Sequence, residues 1–297
     1  MTKVTKVWHI SMMTHDLKAM DRWFKDLFSP RTWMEKEVSE SLMRDASMHV
    51  ISDLNFEPFG VTRVPGAEAS QAGKFYNRHG PRYHSLALFL EDPVQAYEAL
   101  KQRNLMIFDI MGGPMREPPT GGAMYTHPKQ SFGMFELVPD PTTTPYPRRG
   151  EKDPRWKPDF STKFWRDEHP LGILHSSHLT ILVEKVEPAV DFYQGVLGGK
   201  LLHQQGQSAF LALGDEVVVE LAAPSSERVS RDLIRYGEGL YAVTYKVKDL
   251  GKAVDFLTSK GMLFESRDDD TVMINRGDSY GSLFAFTDRN IPNDSRA

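Results

Sequence analysis

Few side chains in this sequence are placed to do chemistry, and two stand out. His9 sits in "VWHISMM", a short run with β-type apolar spacing, just ahead of an amphipathic helical pattern. Glu136 sits in "GMFELV", an acid among apolar neighbours. A lone buried carboxylate is costly to desolvate, so a metal ion is a natural compensation for it. The sequence has no cysteine, which excludes disulfides, thiolate ligands and a cysteine nucleophile together. Any metal must then be held by His, Asp or Glu. Such donors suit Fe(II), Mn(II), Ni(II), Co(II), Zn(II) or Mg(II). The plainer alternative is a hydrogen-bonded core histidine and a salt-bridged acid.

The elements that must position these residues recur along the chain. "HISMMTHDLKAMDRWF" (His9 to Phe24) aligns without a gap on "HLTILVEKVEPAVDFY" (His178 to Tyr193). "YHSLALFLEDPVQAYEAL" (Tyr83 to Leu100) aligns on "LYAVTYKVKDLGKAVDFL" (Leu240 to Leu257), and "SFGMFELVPD" (Ser131 to Asp140) on "SYGSLFAFTD" (Ser279 to Asp288). Each quarter opens with a strand and a helix and continues through shorter β-type segments such as "GKLLHQQ", "SAFLALGD" and "EVVVELAAP". Alternating and β-branched residues mark the strands, and apolar spacings of three and four mark the helices. The pattern is a βαβββ unit used four times, two units to each half. The stretch from Pro141 to Gly172 is rich in proline and charge and reads as an extended linker packed over the surface. The expected domains are 1–145 and 172–297, joined by a linker at 146–171.

Length and composition agree with two globular units. At 297 residues each half can bury its own core. A net charge of −4 gives no basic footprint for nucleic acid. The opening residues lack the apolar core of a signal peptide, and no run approaches a membrane span, so the expected location is the cytoplasm. The expected partner is a small-molecule substrate, with no nucleic acid and no membrane and with self-association left open.

The repeated βαβββ pattern resembles the vicinal oxygen chelate superfamily, which includes glyoxalase I, methylmalonyl-CoA epimerase, fosfomycin-resistance proteins and extradiol dioxygenases. The N-terminal half is most similar to the epimerase- and glyoxalase-like members. It carries the resemblance in "WHISMMTHDL", "SDLNFEPFG", "KFYNRHGPRYHSLALFLED" and "TGGAMYTHPKQSFGMFELVPD". The resemblance implies an α+β fold of four βαβββ modules, paired into two glyoxalase/dioxygenase-like domains with cupped mixed sheets. It also implies a divalent metal ion in the N-terminal cup on His9, Glu57, His84 and Glu136. Family members commonly place a second histidine where Ser85 stands here. Strand alternation aims Ser85 at the cavity and His84 away from it, unless a bulge restores His84. In the C-terminal half His178 and Glu220 stand at ligand positions, but Tyr241–Ala242 and Phe284 align with the other two. That half is expected to be a degenerate copy without metal.

The expected function is a metal-dependent isomerase, epimerase or lyase acting on a small oxygenated organic substrate. The metal would act as a Lewis acid, with Glu57 and Glu136 as the catalytic carboxylates. The rival readings are an Fe(II) extradiol-type dioxygenase using His9, His84 and Glu136, and a metal-free binding protein with an apolar cup. Extradiol enzymes usually keep their metal in the C-terminal domain. The glycine- and proline-rich loops at 60–73 and 111–122 are candidate lids. Tyr125, His49 and Arg82 could reach a cavity from nearby strands. His127 reads as a turn residue, and Met12, Met13, Met43 and Met48 as core filler.

Overall fold

The computed structural model describes residues 2–61, 66–142 and 152–296. Residues 62–65 of the first expected lid, 143–145 of the first expected domain and 146–151 of the expected linker lie outside them.

The described chain builds two eight-stranded mixed sheets. The first contains β1 (Val4–Thr14), β2 (Arg31–Ser39), β3 (Arg44–Ile51), β4 (Leu54–Val61), β5 (Arg82–Leu90), β6 (Ile107–Phe108), β7 (Met124–Thr126) and β8 (Phe135–Pro139). Its spatial order is β2-β3-β4-β1-β5-β8-β7-β6. Helix α1 (Leu17–Phe28) follows β1, and α2 (Gln71–His79) precedes β5. Helix α3 (Pro93–Gln102) follows β5, and the single turn α4 (Pro128–Ser131) precedes β8. The second sheet repeats this plan. It runs from β9 (Ile173–Leu182) through β10 (Lys200–Gln205), β11 (Ser208–Leu213), β12 (Val217–Ala222), β13 (Gly239–Val247), β14 (Phe264–Asp268) and β15 (Thr271–Ile274) to β16 (Leu283–Thr287). Its helices are α5 (Val186–Gly195), α6 (Glu227–Tyr236) and α7 (Leu250–Ser259). The four expected βαβββ modules are therefore present. Helices α2 and α6, between the modules of each half, were not anticipated.

Local chemistry explains the repeat. Asp16, Asp92 and Asp249 each cap the helix that follows a module's first strand, accepting from the backbone N–H three residues on. Along α1 the buried positions Leu17, Met20, Trp23, Phe24, Leu27 and Phe28 form one stripe. In both halves the first strand lies at mid-sheet, parallel to the fourth and antiparallel to the strand opening the next module. His9 therefore lies at the centre of its sheet.

The halves share one core. Phe284 packs on Trp23, Phe28 and Phe56 across the interface, with ring centroids 5.4–5.6 Å apart. Tyr83 donates to the carbonyl of Leu283, and Tyr245 to that of Ile51. Gly281, at φ +80°, approaches Pro81 so closely that a Cβ would lie 2.0 Å from the Pro81 carbonyl oxygen. Only glycine fits there.

The segment joining the sheets is more than a surface strap. A 3₁₀ turn at Pro154–Trp156 buries Arg155, whose guanidinium donates to the carbonyls of Trp8 and Asp53 and pairs with Asp153. Trp156 packs on Phe89, and Trp165 donates to the Phe28 carbonyl. Two tryptophans and an arginine, read in the sequence as part of a charged linker, act as anchors.

A candidate metal centre in the N-terminal cup

Strand alternation decides which side chains meet on the concave face of the first sheet. The registers His9↔Ala87, Ala87↔Glu136, Ser11↔Glu57 and Ser11↔Ser85 put these residues on one face. On β3 the alternation sends Ser47 and His49 to the opposite face, where both bond Asp21 of α1. His49, which also meets Thr32, therefore does not reach the cup. Arg44 and Ala46 point inward. Trp8, Ala87, Phe89 and Val138 make an apolar end to the cup beneath Trp156, and Met13, Ala46 and Phe59 make another. The polar residues lie between.

Three of the four expected ligands converge. The buried His9 Nε2 lies 3.4 Å from a Glu57 oxygen and 3.5 Å from a Glu136 oxygen, and among the described residues neither ring nitrogen makes a hydrogen bond of good geometry. Glu57 accepts from Ser11 at 2.8 Å and from Arg44 at 2.8 Å. Burial opposes the charge on Glu136, but His9, the Tyr125 phenol and Arg44 outweigh it and hold its pKa below the usual carboxylate range. Burial likewise works against the Arg44 cation, yet Glu57 and Glu136 raise its pKa. Burial, followed by Glu136, raises that of Tyr125, which stays a proton donor.

His84 stands apart from this trio. A register shift between Ser11 and Met12 makes it the unpaired residue of a bulge, so both His84 and Ser85 line the cavity. The imidazole packs edge-on against Phe59 and Phe75 and meets the Ser85 hydroxyl at 3.1 Å. Burial, with Arg44 second, pushes its pKa down to about 4, so it is neutral at neutral pH.

An imidazole nitrogen with two carboxylates and no thiolate is a donor set for a hard or borderline divalent ion. The His9 Nε2 facing two carboxylate oxygens at 3.4 and 3.5 Å is the feature that fits one. Among the described residues no three His, Asp or Glu side chains are already closed into a ligand set, and the Arg44 guanidinium supplies positive charge beside Glu57. Arg44 went unnoticed in the sequence. Its signal was positional: it opens a strand on which Arg44 and Ala46 alternate with inward-facing spacing.

The second cup differs by residue. His178 Nε2 lies 3.5 Å from Glu220, which accepts from the Thr180 and Ser208 hydroxyls. The pairing Thr244↔Ala285 matches Ala87↔Glu136, while Val243↔Phe284 matches Leu86↔Phe135. The counterpart of Glu136 is therefore Ala285. The gapless alignment of Phe284 on Glu136 is one residue out, because Phe284 faces the shared core. No carboxylate occupies the position in either alignment.

A cavity of about 1490 Å³ opens over the first cup. Glu136, Arg44, Tyr125, Ser11, His84 and Arg82 line it, and Glu57 lies behind Arg44 and Ser11. Met111 and Gly112 of the second candidate lid border it, as do Gly66 and residues 69–72 of the first and the helix α2 that begins within it. Met43 also lies on its wall rather than in the core, and His127 caps α4 at its edge. Leu233–Leu240 of the second half, at the end of α6 and the turn after it, complete the wall.

The comparisons with known proteins bear on the fold. Residues 175–289 match the model of the Glyoxalase/Bleomycin resistance protein/Dioxygenase superfamily. A triple mutant of 4-hydroxymandelate synthase from Streptomyces coelicolor superposes on 98% of this chain and 95% of its own, with TM-score 0.63 and 10% identity. A xylose isomerase-like TIM barrel/4-hydroxyphenylpyruvate dioxygenase fusion protein superposes on 96% of this chain with TM-score 0.59 and 15% identity. This chain spans 49% of that fusion protein. At these identities the likeness concerns fold. No curated protein matches significantly.

Proposed function

We propose, for a chain whose residues 175–289 match the model of the Glyoxalase/Bleomycin resistance protein/Dioxygenase superfamily and whose two halves share one fold, a metal-dependent isomerase, epimerase or lyase working in the N-terminal cup. The observation that carries this reading is the buried His9 Nε2 facing Glu57 and Glu136 at 3.4 and 3.5 Å, with Glu136 also lining a large cavity. His9, Glu57 and Glu136 would hold the ion. Bound there, a divalent cation would supply Lewis-acid polarisation of a substrate oxygen.

The remaining roles follow from the chain's own contacts. Glu57 is committed to Ser11 and Arg44 and does not line the cavity, so we assign it to holding. Glu136 lines the cavity and is kept ionised, so it is the carboxylate that exchanges a proton with substrate. Tyr125, protonated and bonded to Glu136, orients it and can donate to an oxygen that gains charge. The apolar floor of Trp8, Ala87 and Phe89 keeps bulk water from beneath the pair.

The contacts of His84 with Phe59, Phe75 and the Ser85 hydroxyl count against the extradiol reading, which needs it as a second imidazole ligand. A metal-free binding cup is the second reading, favoured by the Arg44–Glu57 pair. Anaerobic loading with Fe(II), Mn(II), Co(II), Ni(II) or Zn(II), elemental analysis and oxygen uptake on catechols separate the three. Binding of an ion that His9→Ala and Glu136→Gln abolish, without oxygen uptake, is the expected result. Iron with oxygen uptake selects the dioxygenase, and no bound ion selects the binder.

A further inference from the structure

The cavity is larger than a small oxygenated molecule requires. Its volume of about 1490 Å³ exceeds the roughly 300–1,000 Å³ of ordinary ligand pockets. One wall gathers positive charge. Arg82, at the start of β5, is part-buried and lines the cavity. It gives two of its donors to backbone carbonyls, those of Tyr83 and Tyr236, and among the described residues it pairs with no carboxylate.

Its surroundings add more positive charge. Arg82, Arg235 and Arg276 all lie over the Tyr236 ring, their guanidinium carbons 4.6, 5.0 and 5.5 Å from its centroid. Arg78 and Lys74 of α2 line the same cavity. Asp232 is the carboxylate that acts on Arg82, and it is already held by Arg276 and by the Tyr241 hydroxyl. Glu184 and Glu238 also line the cavity, with a Glu238 oxygen taken by the Glu184 N–H. A guanidinium forks naturally onto a carboxylate or phosphate, and here one is left facing a cavity.

We propose that Arg82, framed by Tyr236 and its neighbouring guanidiniums, is an anion-docking subsite, and that the substrate is an elongated organic anion. Its carboxylate or phosphate end sits on Arg82 and its reacting end lies over Glu136. Five residue steps along β5, one of them taken up by the bulge at His84, separate Arg82 from Ala87, the strand partner of Glu136. At about 3.3 Å per residue the anchor and the reacting end are about 15 Å apart along the strand, less the reach of the arginine side chain. Phe59, Phe75 and Phe108 line the same cavity and offer contacts for an apolar body. The C-terminal half, through Tyr236, thereby helps to build the anion subsite rather than only supporting the fold. This inference rests on the proposed reaction site for the substrate's other end, but the docking itself requires no metal.

The test is calorimetric titration of the full chain with 4-phenylbutanoate, its neutral amide and phenyl phosphate. The wild type is expected to bind the acid about tenfold more tightly than the amide, the effect of one charge-assisted contact. Arg82→Gln should remove that preference and Arg82→Lys should keep part of it. Glu136→Gln should leave it intact, so failure of the metal reading remains separate from failure of this one. Tighter binding of phenyl phosphate than of the acid assigns the anion to phosphate, and the reverse assigns it to carboxylate. Equal binding of acid and amide by the wild type overturns the proposal without recourse to any variant. So does an unchanged preference in Arg82→Gln, or no measurable binding of either anion.

Discussion

Exchanging the chemistry of two adjacent residues, Phe284 and Ala285, probes the paired sheets most sharply. The strand register places Phe284 in the shared core and Ala285 on the concave face of the second cup. Phe284 is 0% exposed and contacts the rings of Trp23, Phe28 and Phe56. Truncating it to alanine should cost about 3–5 kcal/mol, towards the upper end because its aromatic pairs are lost along with its packing. That is a large part of the roughly 5–15 kcal/mol a folded domain holds. Phe284→Glu should be worse, since it buries a carboxylate among aromatic rings with no partner. Ala285→Glu puts the same charge on the other face, beside the cup that holds His178 and Glu220, and should cost less. Guanidinium unfolding of the three variants, compared at their midpoints, measures the order. If Phe284→Glu is tolerated better than Ala285→Glu, the register argument fails, and with it the assignment of Ala285 as the counterpart of Glu136.

Further outcomes are expected elsewhere in the molecule. Arg155→Ala should destabilise the chain by about 3–5 kcal/mol in the same assay, because it strands the buried Asp153 and the carbonyls of Trp8 and Asp53. Arg155→Lys should recover only part of the loss. Burial, and then Lys260, pushes the His169 pKa down to about 4, against about 6.5 in the unfolded chain. The unfolded state therefore binds more protons between those values, so stability should rise with pH from about 4 to 6.5. His169→Gln should flatten that slope in melts across the window, and an unchanged slope would refute the assignment. Arg44→Gln removes the cation beside Glu57 and should tighten Mn(II) binding in equilibrium dialysis. Weaker binding would show that Arg44 supports the site instead of competing with the ion.

Much of the fold was legible because the same signals recur. Asp92 and Asp249 mark equivalent caps, and the strands between them alternate cleanly. The slot shared by His9 and His178 was legible for the same reason. What escaped depended on one-residue details that alternation does not encode. His84 reaches the cavity through a bulge, so both rival positions, His84 and Ser85, face it. Phe284 shifted by one because β16 pairs with β13 one residue out of step with the way β8 pairs with β5. Arg44 and Arg155 were hidden for another reason. Charged residues at a strand start and in a proline-rich segment read as solvated, and only tertiary packing buries them.

The central claim is that the first cup binds a divalent ion and the second does not. Elemental analysis of the purified chain after Mn(II) loading and desalting tests it most directly, run in parallel on Glu136→Gln and Glu220→Gln. About one ion per chain in the wild type and in Glu220→Gln, with its loss in Glu136→Gln, is the predicted result. No retained ion in the wild type, or equal loss from both variants, would contradict it.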